Sequence, residues 1–144
     1  MYDLPHHYVV SARAESVGNV MVSGEGLPDL ETAGPIQFGG PGDLWSPEDM
    51  LVGAVANCLI LSFRAIARAA KLEWLELECA VEGELDKVEK LTQFVGFRVR
   101  ARLTIPNETD LKKAGVILEK AEKYCLITNS LKAKPQLETE VVVA

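Results

Sequence analysis

The apolar and polar positions along the chain follow different periods in different stretches. Leu75, Leu77, Cys79, Val81 and Leu85 fall on odd positions, with Glu76, Glu78, Glu82 and Glu84 between them. After a turn near Lys87 to Lys90, Val95, Phe97, Val99, Ala101, Leu103 and Ile105 repeat the alternation, and Arg98, Arg100 and Arg102 take the other face. Neighbouring side chains of a strand point to opposite faces, so a period of two predicts two half-buried strands. Antiparallel pairing would set the glutamate row against the arginine row on the exposed face.

Elsewhere the pattern is helical. Ser46-Pro47-Glu48-Asp49 reads as a helix start: Ser caps well, Pro fits the first helical position, and carboxylates favour the first turn. The predicted helix runs to about Lys71 and is apolar on nearly every side from Met50 to Phe63. Such a helix must be buried all round, and one small domain struggles to wrap it, which points to a second subunit. A later amphipathic helix, capped by Asn107 or Thr109, carries Leu111, Ala114, Ile117, Leu118, Ala121 and Tyr124 at three- and four-residue spacing. Cys125 comes at its end, and Pro135 precedes a last strand from Leu137 to Val143.

The first third is punctuated by Gly18-Asn19, Gly24, Gly26-Leu27-Pro28, Gly34-Pro35 and Gly39-Gly40-Pro41-Gly42. Between these breakers lie β-type pieces, Tyr8 to Ala14, Val20 to Ser23 and Ile36 to Phe38, with a hairpin across Val17-Gly18-Asn19. The order of strands, buried helix, strand pair, amphipathic helix and strand predicts one α+β domain over residues 1–144.

Composition narrows the function. Hydrophobic residues make up 48% and charged residues 25% of the 144, the balance of a globular domain. Lys plus Arg is 15 against 21 for Asp plus Glu, a net charge of −6, which gives no support for a nucleic-acid partner. The uncharged run from Met50 to Phe63 is short of the roughly 20 residues of a bilayer span. The opening Met-Tyr-Asp-Leu-Pro-His-His is not a cationic, apolar leader, so the expected location is cytoplasmic. In a reducing compartment Cys58, Cys79 and Cys125 are not a disulfide framework. Each is a small buried apolar residue or a reactive thiol. Cys79, between Leu77 and Val81 on the apolar face of a regular strand, reads as packing and is assigned no chemistry. Cys58 and Cys125, each taken alone, would read the same way.

The pattern around those two changes the reading. Ser46-Pro47-Glu48-Asp49-Met50-Leu51-Val52-Gly53-Ala54-Val55-Ala56-Asn57-Cys58 resembles the [NS]-P-E-[ED]-L-L-x-A-A-x-A-x-C segment of the OsmC/Ohr family, the osmotically inducible protein C and organic hydroperoxide resistance proteins. Ala121-Glu122-Lys123-Tyr124-Cys125-Leu126-Ile127-Thr128-Asn129-Ser130-Leu131 is similar to the family's A-x-x-x-C-x-[IV]-[ST]-x-[ST]-L segment. The Gly-rich approach, the strand pair and the terminal strand follow in family order, so the resemblance spans nearly the whole chain. It implies an OsmC-like fold, antiparallel sheets around a long buried central helix, in an intertwined homodimer. It further implies that Cys58 is the peroxidatic cysteine, Cys125 the resolving cysteine and Glu48 the active-site glutamate. The implied activity is reduction of organic hydroperoxides, with an external dithiol of lipoyl type as reductant and no metal, haem or flavin.

That chemistry needs a thiolate to attack peroxide and a second thiol to condense with the resulting sulfenic acid. Glu48 and Cys58 are ten residues apart, roughly 15 Å along a helix and about 80° around it. Either the helix breaks between them, or the glutamate serving one Cys58 comes from the other subunit, which is the preferred option. The family's arginine, from the turn after the first strand, has no counterpart in Glu15-Ser16-Val17-Gly18-Asn19-Val20. Arg13, His6 and His7 are the substitutes within reach of that region, although a strand residue and a loose terminal segment are their simpler readings. The alternative function is an OsmC-fold dimer without peroxidase activity that binds a hydrophobic small molecule or acts in a stress response. A dithiol that senses or exchanges disulfides without meeting peroxide is a third.

Overall fold

In the computed structural model, which describes residues 1–144, the chain falls into two compact units, Met1–Leu51 and Val52–Ala144. The first holds a three-stranded antiparallel sheet of β1 (Ser11–Arg13), β2 (Val20–Ser23) and β3 (Leu30–Thr32), in that order. Gly18 turns the chain between β1 and β2 at φ +98°, a conformation glycine adopts freely. The buried Thr32 hydroxyl donates to the Val20 carbonyl at 2.9 Å and ties β3 to β2.

Ile36–Phe38, expected as the third strand, is instead a single 3₁₀ turn. Pro35 and Gly39 explain the difference. The Pro35 carbonyl accepts from Phe38 N–H at 3.0 Å and Gly40 N–H at 2.9 Å, and Gly39 closes the turn at φ +85°. A Cβ on Gly40 would fall on the Gly34 carbonyl, so this loop closes only with glycine there. The chain then returns beside β3, where Ala33 N–H donates to the Trp45 carbonyl at 3.0 Å.

α1 spans Pro47–Ala69 without a break, ending slightly before the expected Lys71. Its start is a reciprocal cap. The buried Ser46 Oγ accepts from Asp49 N–H at 3.0 Å, and the Asp49 carboxylate accepts from the Ser46 hydroxyl at 2.8 Å. The boundary between the two units falls inside this helix.

In the second unit, Val55, Leu59, Phe63 and Ala67 form the buried stripe of α1, at four-residue spacing. The helix is not covered all round by its own chain, since Leu61 on another face is 53% exposed. By length and composition alone α1 would suffice to cross a membrane, and its buried stripe is that of a core helix.

β4 (Glu76–Val88) and β5 (Leu91–Ile105) pair antiparallel with the Glu and Arg rows facing each other as expected, Glu78 opposite Arg102 and Glu82 opposite Arg98. Glu89 and Lys90 form the connection with φ of 51° and 72°, the left-handed pair that suits a two-residue hairpin. The arginines make their close ion pairs on the other side, with β6 (Pro135–Val143): Arg98 and Arg100 with Glu138 at 4.0 and 3.4 Å, Arg102 with Glu140 at 3.7 Å. β6 runs parallel to β5, so this sheet is mixed and not antiparallel throughout. The reason is the crossover through α2 (Leu111–Lys123) and the short α3 (Leu126–Asn129), which returns the chain to the middle of β5, with Pro135 beside Phe97. Ala114, Ile117, Leu118 and Ala121 of α2 are buried with Phe97, Val99, Ala101, Leu103 and Ile105 of β5.

Two contacts fix α1 relative to β4 and the segment just before it. A Cβ on Gly83 would lie 2.8 Å from Val52 Cγ2 and 2.9 Å from Phe94 Cε1, so helix and strand meet there with no room for a methyl group. At the other end, Phe63 packs edge-on against Trp74 with ring centroids 5.3 Å apart. Gly83→Ala is expected to cost about 1–3 kcal/mol, the usual range for overpacking, as measured by urea unfolding.

Candidate functional site

The thiols of Cys58 and Cys125 are brought together although 67 residues separate them. α1 positions the first. Cys58 is half-buried beside its stripe, and its Sγ lies 3.9 Å from Ser62 Oγ, one turn further on. Cys125 sits in the junction between α2 and α3 and is 1% exposed. Its carbonyl accepts from Asn129 N–H at 3.0 Å and from the Thr128 hydroxyl at 3.1 Å, so the residue is locked to the first turn of α3.

Burial is the main influence on the Cys125 thiol and pushes its pKa up, because a thiolate loses solvation there. Hydrogen bonds from the backbone and side chain of Thr128 work the other way. The neighbouring Cys58 raises it again, by hydrogen bonding and by charge. The net direction is upward, so Cys125 is held as a protonated thiol beside Cys58.

Cys79, assigned no chemistry, is half-buried on β4, and its pKa is pushed up to about 11, first by burial and then by the charge of Cys125. Cys125 thus has Cys58 as its neighbour, while its charge reaches as far as Cys79. The parity that put Cys79 on the inner face was readable from the chain. The influence of a residue 46 positions later (125 − 79) was not, because no local pattern encodes it.

Glu48 lies in the first turn of α1, ten residues before Cys58 on the same unbroken helix. Helix breakage, one of the two options for joining them, is therefore removed. Glu48 Oε1 is buried and has no hydrogen-bond partner within the chain, an arrangement that costs free energy until a donor is supplied. Arg13 is exposed on β1. His6 is also exposed, its ring nitrogens placed 3.3 Å from the Tyr8 hydroxyl and 2.9 Å from the Tyr2 carbonyl. A depression of about 300 Å³ on the outer sheet face is lined by Glu78, Arg100, Arg102, Glu138 and Glu140. Its charged walls do not suit an apolar ligand, and Cys79 points to the opposite face of β4.

A continuous helix opening on a capped turn, a mixed sheet and a pair of neighbouring thiols together characterise this α+β chain. The chain belongs to the OsmC-like protein family, whose model matches residues 40–140. It is similar over 96% of its length to the uncharacterized protein YmaD of Bacillus subtilis, with 25% identity and 95% of that protein covered. Among solved structures, it resembles an organic hydroperoxide resistance protein OsmC of Legionella pneumophila, described as a predicted redox protein, with TM-score 0.76, 23% identity and 98% and 100% of the two chains covered. An OsmC-like protein of unknown function from Vibrio cholerae superposes with TM-score 0.84 at 16% identity, covering 96% of this chain and 100% of that one. An organic hydroperoxide resistance protein of Elizabethkingia anophelis gives TM-score 0.73 at 20% identity, with 98% and 100% covered. At these identities the structural likenesses establish the fold.

The upward shift at Cys79 links stability to pH. The folded protein keeps that proton to a higher pH than the unfolded chain, so unfolding releases it between pH 9.0 and about 11, and rising pH favours the unfolded state there. Over that window the native protein is expected to lose more stability than Cys79→Ala, measured by urea unfolding of both at each pH.

Proposed function

We propose that this protein is a thiol-dependent peroxidase that reduces organic hydroperoxides to alcohols. The observation that carries the reading is the adjacency of Cys58 and Cys125 inside one chain. The Cys58 thiolate attacks the terminal peroxide oxygen, the O–O bond breaks, and the alkoxide leaves to be protonated as alcohol, leaving Cys58 as a sulfenic acid. The Cys125 sulfur then attacks the Cys58 sulfur, water leaves, and a Cys58–Cys125 disulfide forms. An external dithiol, of lipoyl type by family resemblance, restores both thiols by exchange. The names of the Legionella and Elizabethkingia relatives support this substrate class. An apolar helix wall beside Cys58 favours an organic peroxide over hydrogen peroxide.

The working form is a homodimer in the cytoplasm. The face of α1 left open around Leu61 needs a cover, and a second copy supplies one. Glu48 then acts across the interface. Its buried, unpaired Oε1 supports a donor from outside its own chain, and the unbroken helix keeps it from its own Cys58. Free cysteines suit a reducing compartment. A second reading, an OsmC-fold dimer that binds a hydrophobic small molecule without peroxide turnover, is favoured by one feature: the turn from Glu15 to Val20 has no arginine to stabilise a thiolate.

Mass spectrometry of the reduced protein after one equivalent of cumene hydroperoxide, and separately of hydrogen peroxide, tests the choice. A fast Cys58–Cys125 disulfide, formed faster with the organic peroxide, is the expected result; thiols that stay reduced favour the second reading. Cys58→Ser is expected to abolish turnover, whereas Cys125→Ser should accumulate a Cys58 sulfenic acid and stall. Mixed dimers of Glu48→Gln and Cys58→Ser subunits should regain one working site, which two groups from the same chain would not allow.

A further inference from the structure

Cys58 stands about three turns into α1, where the helix dipole no longer favours a thiolate. Help with ionisation must therefore come from the side chains around its sulfur. On a helix surface the neighbours of a residue lie three and four positions away, here Ala54, Val55, Leu61 and Ser62. Three of these are apolar, and Ser62 carries a donor. Its direction is also right. Helical side chains lean toward the N-terminus, so the residue four positions after Cys58 reaches back over it, whereas one four positions before leans away. A mid-helix serine commonly turns its hydroxyl to the carbonyl four residues back or out to solvent. In α1 the Ser62 Oγ is set instead against the Cys58 sulfur, at 3.9 Å, with both residues half-buried.

From this geometry we infer that Ser62 is the hydrogen-bond donor to the Cys58 thiolate, and hence a catalytic residue of peroxide reduction. The role in turnover rests on the peroxidase reading; the effect on the thiol does not. A hydroxyl both accepts and donates, so it serves both forms of the sulfur. It accepts from the Cys58 thiol, and when that proton passes to solvent at this half-buried site, it rotates and donates its own. A hydrogen bond to a charged acceptor is the stronger of the two, so the pair favours the ionised form. The titratable group that faces Cys58 from another element is Cys125, held as a thiol and the weaker donor. Cys125 also gives up its proton when it attacks the sulfenic acid, whereas Ser62 keeps its own throughout. Ser62 thus serves Cys58 twice, as the attacking thiolate and as the leaving thiolate when an external dithiol opens the disulfide at Cys125. With no arginine in the turn from Glu15 to Val20, a neutral donor from the helix itself takes that part.

The test compares native protein, Ser62→Ala and Ser62→Thr by the rate at which iodoacetamide alkylates Cys58 at neutral pH, followed by peptide mass spectrometry. The thiolate is the form that reacts. Ser62→Ala is expected to slow alkylation of Cys58 about fivefold and leave that of Cys79 unchanged. Ser62→Thr keeps the hydroxyl and should react as the native protein does. Alanine is the better helix former, so the urea midpoint of Ser62→Ala should not fall, which separates a lost donor from a loosened helix. With one equivalent of cumene hydroperoxide, Ser62→Ala should form the Cys58–Cys125 disulfide more slowly by the same factor. Alkylation as fast in Ser62→Ala as in the native protein, or as slow in Ser62→Thr as in Ser62→Ala, overturns the donor and leaves the peroxidase reading intact. Slowed alkylation in Ser62→Ala, when the native protein ignores cumene hydroperoxide, upholds the donor to the thiolate and sinks the peroxidase reading.

Discussion

The structure depends on how one long apolar helix is held. α1 offers a stripe of Val55, Leu59, Phe63 and Ala67 to its own chain, and the contacts at its flanks leave little freedom in where that stripe lies. Gly83 admits Val52 only because it has no Cβ, and Trp74 receives the edge of the Phe63 ring. Interiors packed this closely transmit position well. A cysteine three turns into such a helix is therefore placed as firmly as a residue of the core, although it is only half-buried.

The same packing decides what kind of thiols these are. Cys125 and Cys79 are withdrawn from solvent and their thiolates are disfavoured, which protects them from indiscriminate oxidants. Thr128 moderates the effect at Cys125 with two hydrogen bonds, while Cys79 has burial and the charge of Cys125 against it.

Much of this was legible in the chain. The facing of the Glu row of β4 by the Arg row of β5 followed from the sequence, because period two leaves no other face for them. Ser46 to Asp49 announced the start of α1, and the two cysteine motifs pointed to the thiols that meet. Ile36–Phe38 was misread because three residues are too few to separate a strand from a turn, and Pro35 and Gly39 carried the better signal. The parallel course of β6 had a signal too: a strand, a helix and a strand in succession bring the second strand back in the same direction. The closeness of Cys58 to Cys125 had none in local pattern, being a product of how a helix and a junction close on one another.

The charges on the outer sheet face have a consequence of their own. Arginines occupy the central strand β5, and glutamates occupy both edge strands, Glu78 and Glu82 on β4, Glu138 and Glu140 on β6. Two copies approaching edge to edge bring like-signed rows together, and an unprotected edge is where sheets polymerise. The layout thus acts as a guard on colloidal behaviour, turning each copy's edges away from those of the next.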